Sequence, residues 1–226
     1  MAPKRKVPKS KSLRRRPPER TPKYEIYIFS EGSKTEVDYF EKFQKEVEAS
    51  LVTLIIRGGQ GDPQHLVKNA IEKKAELDTL SKRNRDSFSK RFQVWAVFDK
   101  DEHMHYDAAI MSAEGAGIHV ARSNPCFELW GLLLLRAHAA PTTRFELQRI
   151  LKTEMVGYDH DLNPHFVEGR TKDNYREAID RADELLSMHV NAGSPYGNPC
   201  TTVHTLVHKI AAKGSTPLLR TLQRSP

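Results

Sequence analysis

The sequence predicts an α/β fold, in which a four-stranded, mostly parallel sheet is flanked by helices and followed by a helical C-terminal part. Patterns typical of strands and helices alternate between residues 24 and 137, and this alternation favours a parallel sheet with helical crossovers. The third strand pattern, at 93–98, is nearly all apolar, as expected for a strand covered on both faces. No strand pattern follows Pro141, so only helices are expected beyond it.

The predicted strands are short runs rich in β-branched and aromatic residues. They cover residues 24–30, 51–56, 93–98 and 118–121. Each is followed by a segment with helical spacing of apolar residues. These four predicted helices cover 33–49, 63–80, 106–113 and 126–137.

Local signals mark several helix ends. Asp62 stands before Pro63, a pattern that predicts an N-cap with proline in the first helical position. Gly115 or Gly117 is expected to close the third helix. In the C-terminal part, Thr143-x-x-Glu146 predicts a capping box. The predicted C-terminal helices cover 143–154, 171–188 and 201–212.

Composition excludes several classes of protein. The chain has 226 residues, 38% apolar and 29% charged, a mix typical of one globular domain with a small appendage. No apolar run approaches the roughly 18 residues that a membrane span needs, and the first 20 residues lack the apolar segment of a secretory signal. Cys126 and Cys200 lack zinc-type spacing, so we expect free thiols in a reducing cytoplasm, with a disulfide between them as the alternative.

The positive charge belongs to the first 23 residues. They hold ten of the 36 lysines and arginines and one of the 29 acids, giving +9, and the remainder carries −2. Such a proline-rich basic tail is expected to be disordered. It is either an arm that binds phosphates or a solvated extension. The residues proposed to bind nucleic acid are Lys4, Arg5, Lys6, Arg14, Arg15 and Arg16. The predicted organisation is a tail over 1–23, an α/β domain over 24–140 and a helical extension over 141–226 packed on it.

Acidic residues follow two of the predicted strands. Glu31 ends the first strand, and Asp99 and Asp101 follow the third. Because ligands of parallel α/β sheets bind beyond the carboxyl ends of the strands, these acids converge if the strands are neighbours. Clustered carboxylates repel one another unless a cation lies between them. Oxygen ligands favour Mg²⁺ or Mn²⁺, ions that support phosphodiester cleavage.

Gly32, directly after Glu31, permits a left-handed backbone and lets backbone N–H groups approach an anion. The other candidate residues each have a plainer explanation. Glu36 is as well explained by a capping box with Ser33 as by a ligand role. His103 lies in a loop, where most histidines are simply exposed, and Glu128 is either a fourth acid or the polar position of an apolar helix.

Four stretches together resemble the RloB-like (AbiLii-like) family. They are EGSKTEVDYF, VFDKDEH, SNPCFELW and GNPCTTVHTLVHKI, in this order. The first two also resemble the Toprim-type core of overcoming-lysogenization-defect-type nucleases, which implies a Toprim-like Rossmannoid fold. The resemblance implies that Glu31, Asp99 and Asp101 are catalytic and bind the metal, with Glu36 as an accessory acid. We list Lys34, His103, Asn124, Glu128 and His204 as candidates for groups around these ligands.

The resemblance implies a nuclease of anti-phage defence that acts with an AAA/ABC-type ATPase encoded nearby. The chain lacks a Gly-x-x-x-x-Gly-Lys-Ser/Thr loop, so a partner would have to supply any ATP chemistry. Two alternatives stay open: a non-catalytic nucleic-acid-binding or adaptor protein, and a phosphoesterase or primase-like enzyme acting on small nucleotides. DNA, tRNA and other RNA are all compatible substrates. The oligomeric state also stays open, a homo-oligomer included.

Overall fold

The fold is a three-layer arrangement around one twisted sheet. A computed structural model describes residues 24–49, 52–83, 92–100, 105–166 and 174–212. Its strands are β1 Tyr24–Ser30, β2 Val52–Arg57, β3 Phe92–Asp99, β4 His119–Asn124 and β5 Cys200–Thr201. The sheet order is β2-β1-β3-β4-β5. The first four strands are parallel, and β5 runs antiparallel to β4, so the predicted mostly parallel α/β sheet is confirmed.

Seven helices lie in the described part of the chain. They are α1 Thr35–Glu46, α2 Pro63–Arg83, α3 Tyr106–Gly115, α4 Glu128–Leu133, α5 Arg144–Glu154, α6 Tyr175–Asn191 and α7 Val203–Ala211. None of them has the length and apolar composition needed to cross a membrane. The basic tail, residues 101–104 and the start of the predicted 171–188 helix lie outside the described residues.

The two faces of the sheet carry different helices. Side chains alternate along each strand, so Ile26 and Ile28 of β1 pack in one core and Tyr27 and Phe29 pack in the other. The first core includes α1 and α4 together with α5, α6 and α7. The second core holds α2 and α3. The helices after residue 141 therefore share a continuous core with the sheet, while the division at residue 140 stays a prediction.

Several predicted helix ends are confirmed by their hydrogen bonds. The Asp62 carboxylate accepts from the backbone N–H groups of Gln64 and His65 at the start of α2. The Thr143 hydroxyl accepts from the Glu146 N–H at the start of α5, at 3.2 Å. Gly117 has a φ of +70° just after α3, a conformation that glycine adopts without strain.

The expectation of no strand beyond Pro141 was wrong. The two-residue strand β5 pairs with the end of β4, with Ser123 opposite Thr201 and Asn124 opposite Cys200. The two Asn-Pro-Cys stretches of the sequence therefore meet in the sheet. Both cysteines are buried and free, as expected.

The fourth helix is also shorter than predicted. Its six helical residues are all buried, so the apolar run at 126–137 reflects burial from all sides and not helix length.

Candidate functional site

A cleft of about 450 Å³ opens where β1 and β3 end. Because β1 and β3 are hydrogen-bonded neighbours, the residues that follow them are brought to the same edge of the sheet. The charged side chains that line the cleft are the acids Glu31, Glu36, Asp99, Glu128 and Asp161 and the basic residues Lys34, Arg144 and His160. The cleft is thus rich in carboxylates and also has basic groups in its lining.

Glu31 and Asp99 meet as their positions at the strand ends predict. The Glu31 N–H continues the ladder by donating to the Val97 carbonyl, at 3.1 Å. The Glu31 carboxylate then lies across the end of β3, with its Oε2 atom 3.4 Å from the Asp99 backbone nitrogen. Asp99 in turn accepts a hydrogen bond from the Phe127 N–H, at 3.1 Å. Both carboxylates are partly exposed to the cleft.

Of the two roles considered for Glu36, the capping box with Ser33 does not form. Helix α1 begins at Thr35, and the Glu36 carboxylate accepts from the Gly32 N–H at 3.1 Å. Gly32 does not have the left-handed backbone we expected from its position. It is needed for space, since a Cβ atom there would lie 2.2 Å from Glu36 Oε2. Glu36 is thereby turned into the cleft beside Glu31.

Burial and mutual repulsion disfavour the charged forms of two of these acids. Burial first, and then the charges of Glu128 and Glu31, raise the pKa of Glu36 from 4.5 to about 7. Burial and the charges of Glu36, Glu128 and Glu31 raise the pKa of Asp99 well above its ordinary range. These carboxylates are therefore close enough for each to oppose the ionisation of the next.

Glu128 is the opposite case. It is only 5% exposed, and burial alone would raise the pKa of its carboxyl. Hydrogen bonds from His160, Cys126 and Tyr158 outweigh that effect and lower the pKa to about 2. In the sequence, Glu128 was one of several candidates for a group around the metal ligands. In the structure it is one of the carboxylates that line the cleft.

Sequence reasoning missed His160. Its Nδ1 atom lies 2.9 Å from Glu128 Oε1, and the Tyr158 hydroxyl donates to the same oxygen at 2.9 Å. The segment YDHDLNPHF at 158–166 concentrates histidines and acids in a loop, a signal that would have justified including it. Its partner Glu128 is 32 residues away, so no local pattern connects the two.

The other predicted residues fall into three groups. Lys34 lines the cleft. Asn124 and His204 do not line it: the Asn124 amide donates to the Tyr196 carbonyl, and His204 pairs with Asp183 at 3.1 Å. The predicted site residues outside the described part of the chain are Asp101, His103, Lys4, Arg5, Lys6, Arg14, Arg15 and Arg16.

The donor set of the cleft suits a hard cation. In the described part of the chain, no three His, Cys, Asp or Glu side chains already lie close enough to hold a metal ion together. Magnesium is usually bound by one or two carboxylates, with waters and phosphate oxygens as further ligands. Glu31 and Asp99 meet that requirement. Burial is the main cause of the raised pKa of Asp99, and a cation would relieve the repulsion from Glu36, Glu128 and Glu31 that adds to it.

The chain is similar to a known family of proteins. The family model described as RloB-like protein matches residues 26–210, a range that includes every described residue lining the cleft. No curated protein and no solved structure matches the chain.

Proposed function

The chain belongs to the RloB-like family, and from that premise and the acidic cleft we propose that it is a divalent-metal-dependent nuclease. The observation that carries the proposal is the meeting of Glu31 and Asp99. They are 68 residues apart in the sequence, yet the Glu31 carboxylate contacts the backbone of Asp99 at the mouth of one cleft. Carboxylates that lie close together repel one another unless a cation lies between them, so this clustering supports a cation site.

Each acid has a distinct part in this proposal. Glu31 and Asp99 would hold Mg²⁺ or Mn²⁺, with Asp101 as a third ligand and Glu36 as an accessory one. A bound divalent ion would supply positive charge to stabilise the transition state of phosphodiester hydrolysis. Lys34 and Arg144 line the same cleft and would attract the phosphates of a nucleic acid.

The biological setting is proposed from the family resemblance. The protein would act in the cytoplasm in anti-phage defence, together with an AAA/ABC-type ATPase encoded nearby. The basic tail, with its charge of +9 in 23 residues, would raise affinity for DNA or RNA without reading sequence.

The direct test is cleavage by the full chain and by Asp99→Asn. Plasmid DNA and bulk tRNA are incubated with Mg²⁺, Mn²⁺ or a chelator, with and without the ATPase. We expect divalent-ion-dependent cleavage by the wild type and a loss of about 10³-fold or more in Asp99→Asn. Asparagine keeps the size of the side chain and can still accept from the Phe127 N–H, so folding is expected to be retained.

Asp107→Asn is the matched control, because Asp107 is an exposed residue in the first turn of α3. It makes the same change of charge away from the cleft and should cleave as the wild type does. Equal cleavage by Asp99→Asn and wild type would contradict the proposal. Binding of nucleic acid without cleavage by any of the three proteins would instead support an adaptor.

A further inference from the structure

The Glu128–His160 pair has the geometry of a carboxylate–imidazole dyad. Glu128 Oε1 receives three side-chain contacts: Tyr158 and His160 at 2.9 Å and the Gln148 amide at 3.5 Å. The Glu128 side chain is 6% exposed and that of His160 is 39% exposed. The buried member of the pair is therefore the anion, and the imidazole is the member that faces the cleft.

Glu128 fixes which ring nitrogen of His160 is available. Because Nδ1 lies within hydrogen-bond distance of the Glu128 carboxylate, which only accepts, Nδ1 carries a hydrogen and donates it. The other nitrogen, Nε2, lies 3.4 Å from the Gln148 amide nitrogen. The same amide nitrogen lies 3.5 Å from Glu128 Oε1. Its NH₂ can donate to Nε2 of neutral His160, whereas a protonated Nε2 needs the amide oxygen in that place, and Gln148 then gives up its contact with Glu128.

The charges around His160 favour its cationic form. The hydrogen bond to Glu128 raises the pKa of His160, and the charge of Asp161 acts in the same direction. Partial burial and the charge of Arg144 oppose it. The net effect is a higher pKa than that of an ordinary histidine, which favours the form of His160 that carries a proton on Nε2.

Glu128 is better suited to hold His160 than to bind a metal. Its carboxylate already accepts from the side chains of Tyr158, His160 and Cys126. The Glu31 and Asp99 carboxylates line the same cleft, and Asp99 accepts from the Phe127 N–H. The cleft therefore brings together carboxylates that can bind a cation and an imidazole whose orientation Glu128 fixes.

We propose that His160 donates the proton that the leaving oxygen needs when the phosphodiester is cleaved, and that Glu128 positions it. This inference rests on the proposed nuclease function. Water adds to phosphorus and the bond from phosphorus to the leaving oxygen breaks. The proton on His160 Nε2 passes to that oxygen, and the water gives up one proton to solvent. The products are a phosphomonoester and an alcohol, and neutral His160 is reprotonated from solvent.

The sharpest test replaces the leaving oxygen by sulfur. A thiolate leaves without being protonated, so a protein that lacks its proton donor should cleave a bridging phosphorothiolate nearly normally. Oligonucleotides with a single sulfur at the 3′- or the 5′-bridging position are compared with the all-oxygen substrate. We expect His160→Gln to lose about 10²-fold on oxygen and much less on the sulfur substrate whose thiolate leaves.

A purely structural role gives a different result. If His160 only ties the 158–166 loop to α4, His160→Gln should lose the same factor on the oxygen and sulfur substrates, and the inference is overturned. His160→Asn is tested in parallel, and circular dichroism checks that both variants are folded. If the wild type cleaves none of the substrates, the proposed function itself fails and the proton-donor role fails with it.

The positioning role of Glu128 has a readout that does not depend on activity. The pKa of His160 is measured by NMR titration of its ring signals in the wild type, in Glu128→Gln and in Tyr158→Phe. We expect it to fall in Glu128→Gln and to change little in Tyr158→Phe, which keeps the carboxylate. The same His160 pKa in wild type and Glu128→Gln would contradict the positioning role.

Discussion

Two glutamates that line one cleft are buried alike and ionise differently. Glu36 is 6% exposed and Glu128 is 5% exposed, yet the pKa of Glu36 is raised to about 7 and that of Glu128 is lowered to about 2. Both have backbone N–H donors. Only Glu128 also has side-chain donors, one of them an imidazole with a raised pKa.

The comparison shows that burial alone does not set the charge of a cleft. A buried carboxyl group with few hydrogen-bond donors stays protonated unless a cation binds to it, whereas one with several donors stays ionised. In this cleft, the Glu36 carboxyl is expected to lose its proton when a cation binds. The Glu128 carboxylate is expected to stay ionised with and without the cation.

Glu128→Gln should have the largest effect on stability. The pKa of Glu128 is lower in the folded protein than the ordinary 4.5, so its ionisation stabilises the fold above about pH 4.5, and this contribution is lost as the pH falls toward 2. We expect a loss of about 3 kcal/mol in the free energy of unfolding at pH 7. Denaturant unfolding measures it. The difference between wild type and Glu128→Gln should shrink below pH 4.

Glu154→Gln is the control for that experiment, since Glu154 makes an exposed ion pair with Arg136. Its cost is expected to stay below about 1 kcal/mol. An equally small loss in the free energy of unfolding for Glu128→Gln would show that the side-chain donors do not stabilise the ionised form of Glu128.

Glu36→Gln should change stability in the opposite direction. The pKa of Glu36 is higher in the folded protein than the ordinary 4.5. Its ionisation therefore destabilises the fold progressively as the pH rises from about 4.5 to about 7, and the lost stability is not regained above that pH. In metal-free buffer at pH 8, we expect the glutamine variant to be more stable than the wild type by about 2 kcal/mol. Thermal unfolding with chelator at pH 4 and pH 8 measures the change, and a destabilised variant at pH 8 would refute the account of Glu36.

Gly32→Ala should have the smallest effect on stability and should act only through Glu36. The new Cβ would lie 2.2 Å from Glu36 Oε2, so the carboxylate must move, at a cost of about 1 kcal/mol. In Glu36→Ala the clash is absent, and adding Gly32→Ala should then cost less. A double-mutant cycle measures this coupling, and additive effects would mean that Gly32 does not constrain Glu36.

The sequence predicted the parts of the fold that have a local pattern. The apolar run at 93–98 is a buried strand, and the acids after it and after Ser30 lie together because β1 and β3 are neighbours. Strand β5 was missed because its two residues, Cys200 and Thr201, pair only through contact with β4. A pairing between residues so far apart leaves no periodic signal within either segment.

Only part of the site could be predicted, because the rest again depends on contacts between distant segments. Glu31, Glu36 and Asp99 follow strands or open a helix, so their positions could be inferred from the order of the elements. His160 lies in a loop and depends on Glu128 and Tyr158, which reach it only in the folded chain. A capping box with Ser33 was one of two explanations for Glu36, and the later start of α1 gives it Gly32 as its partner instead.

The most direct test of the central claim is calorimetric titration of the full chain with Mn²⁺ at pH 8. The wild type, Glu128→Gln and the Asp107→Asn control should bind the ion with similar affinity. Asp99→Asn should bind it at least about tenfold more weakly, a difference of about 1.4 kcal/mol. Equal Mn²⁺ affinity in Asp99→Asn and the wild type would contradict a cation held at the ends of β1 and β3.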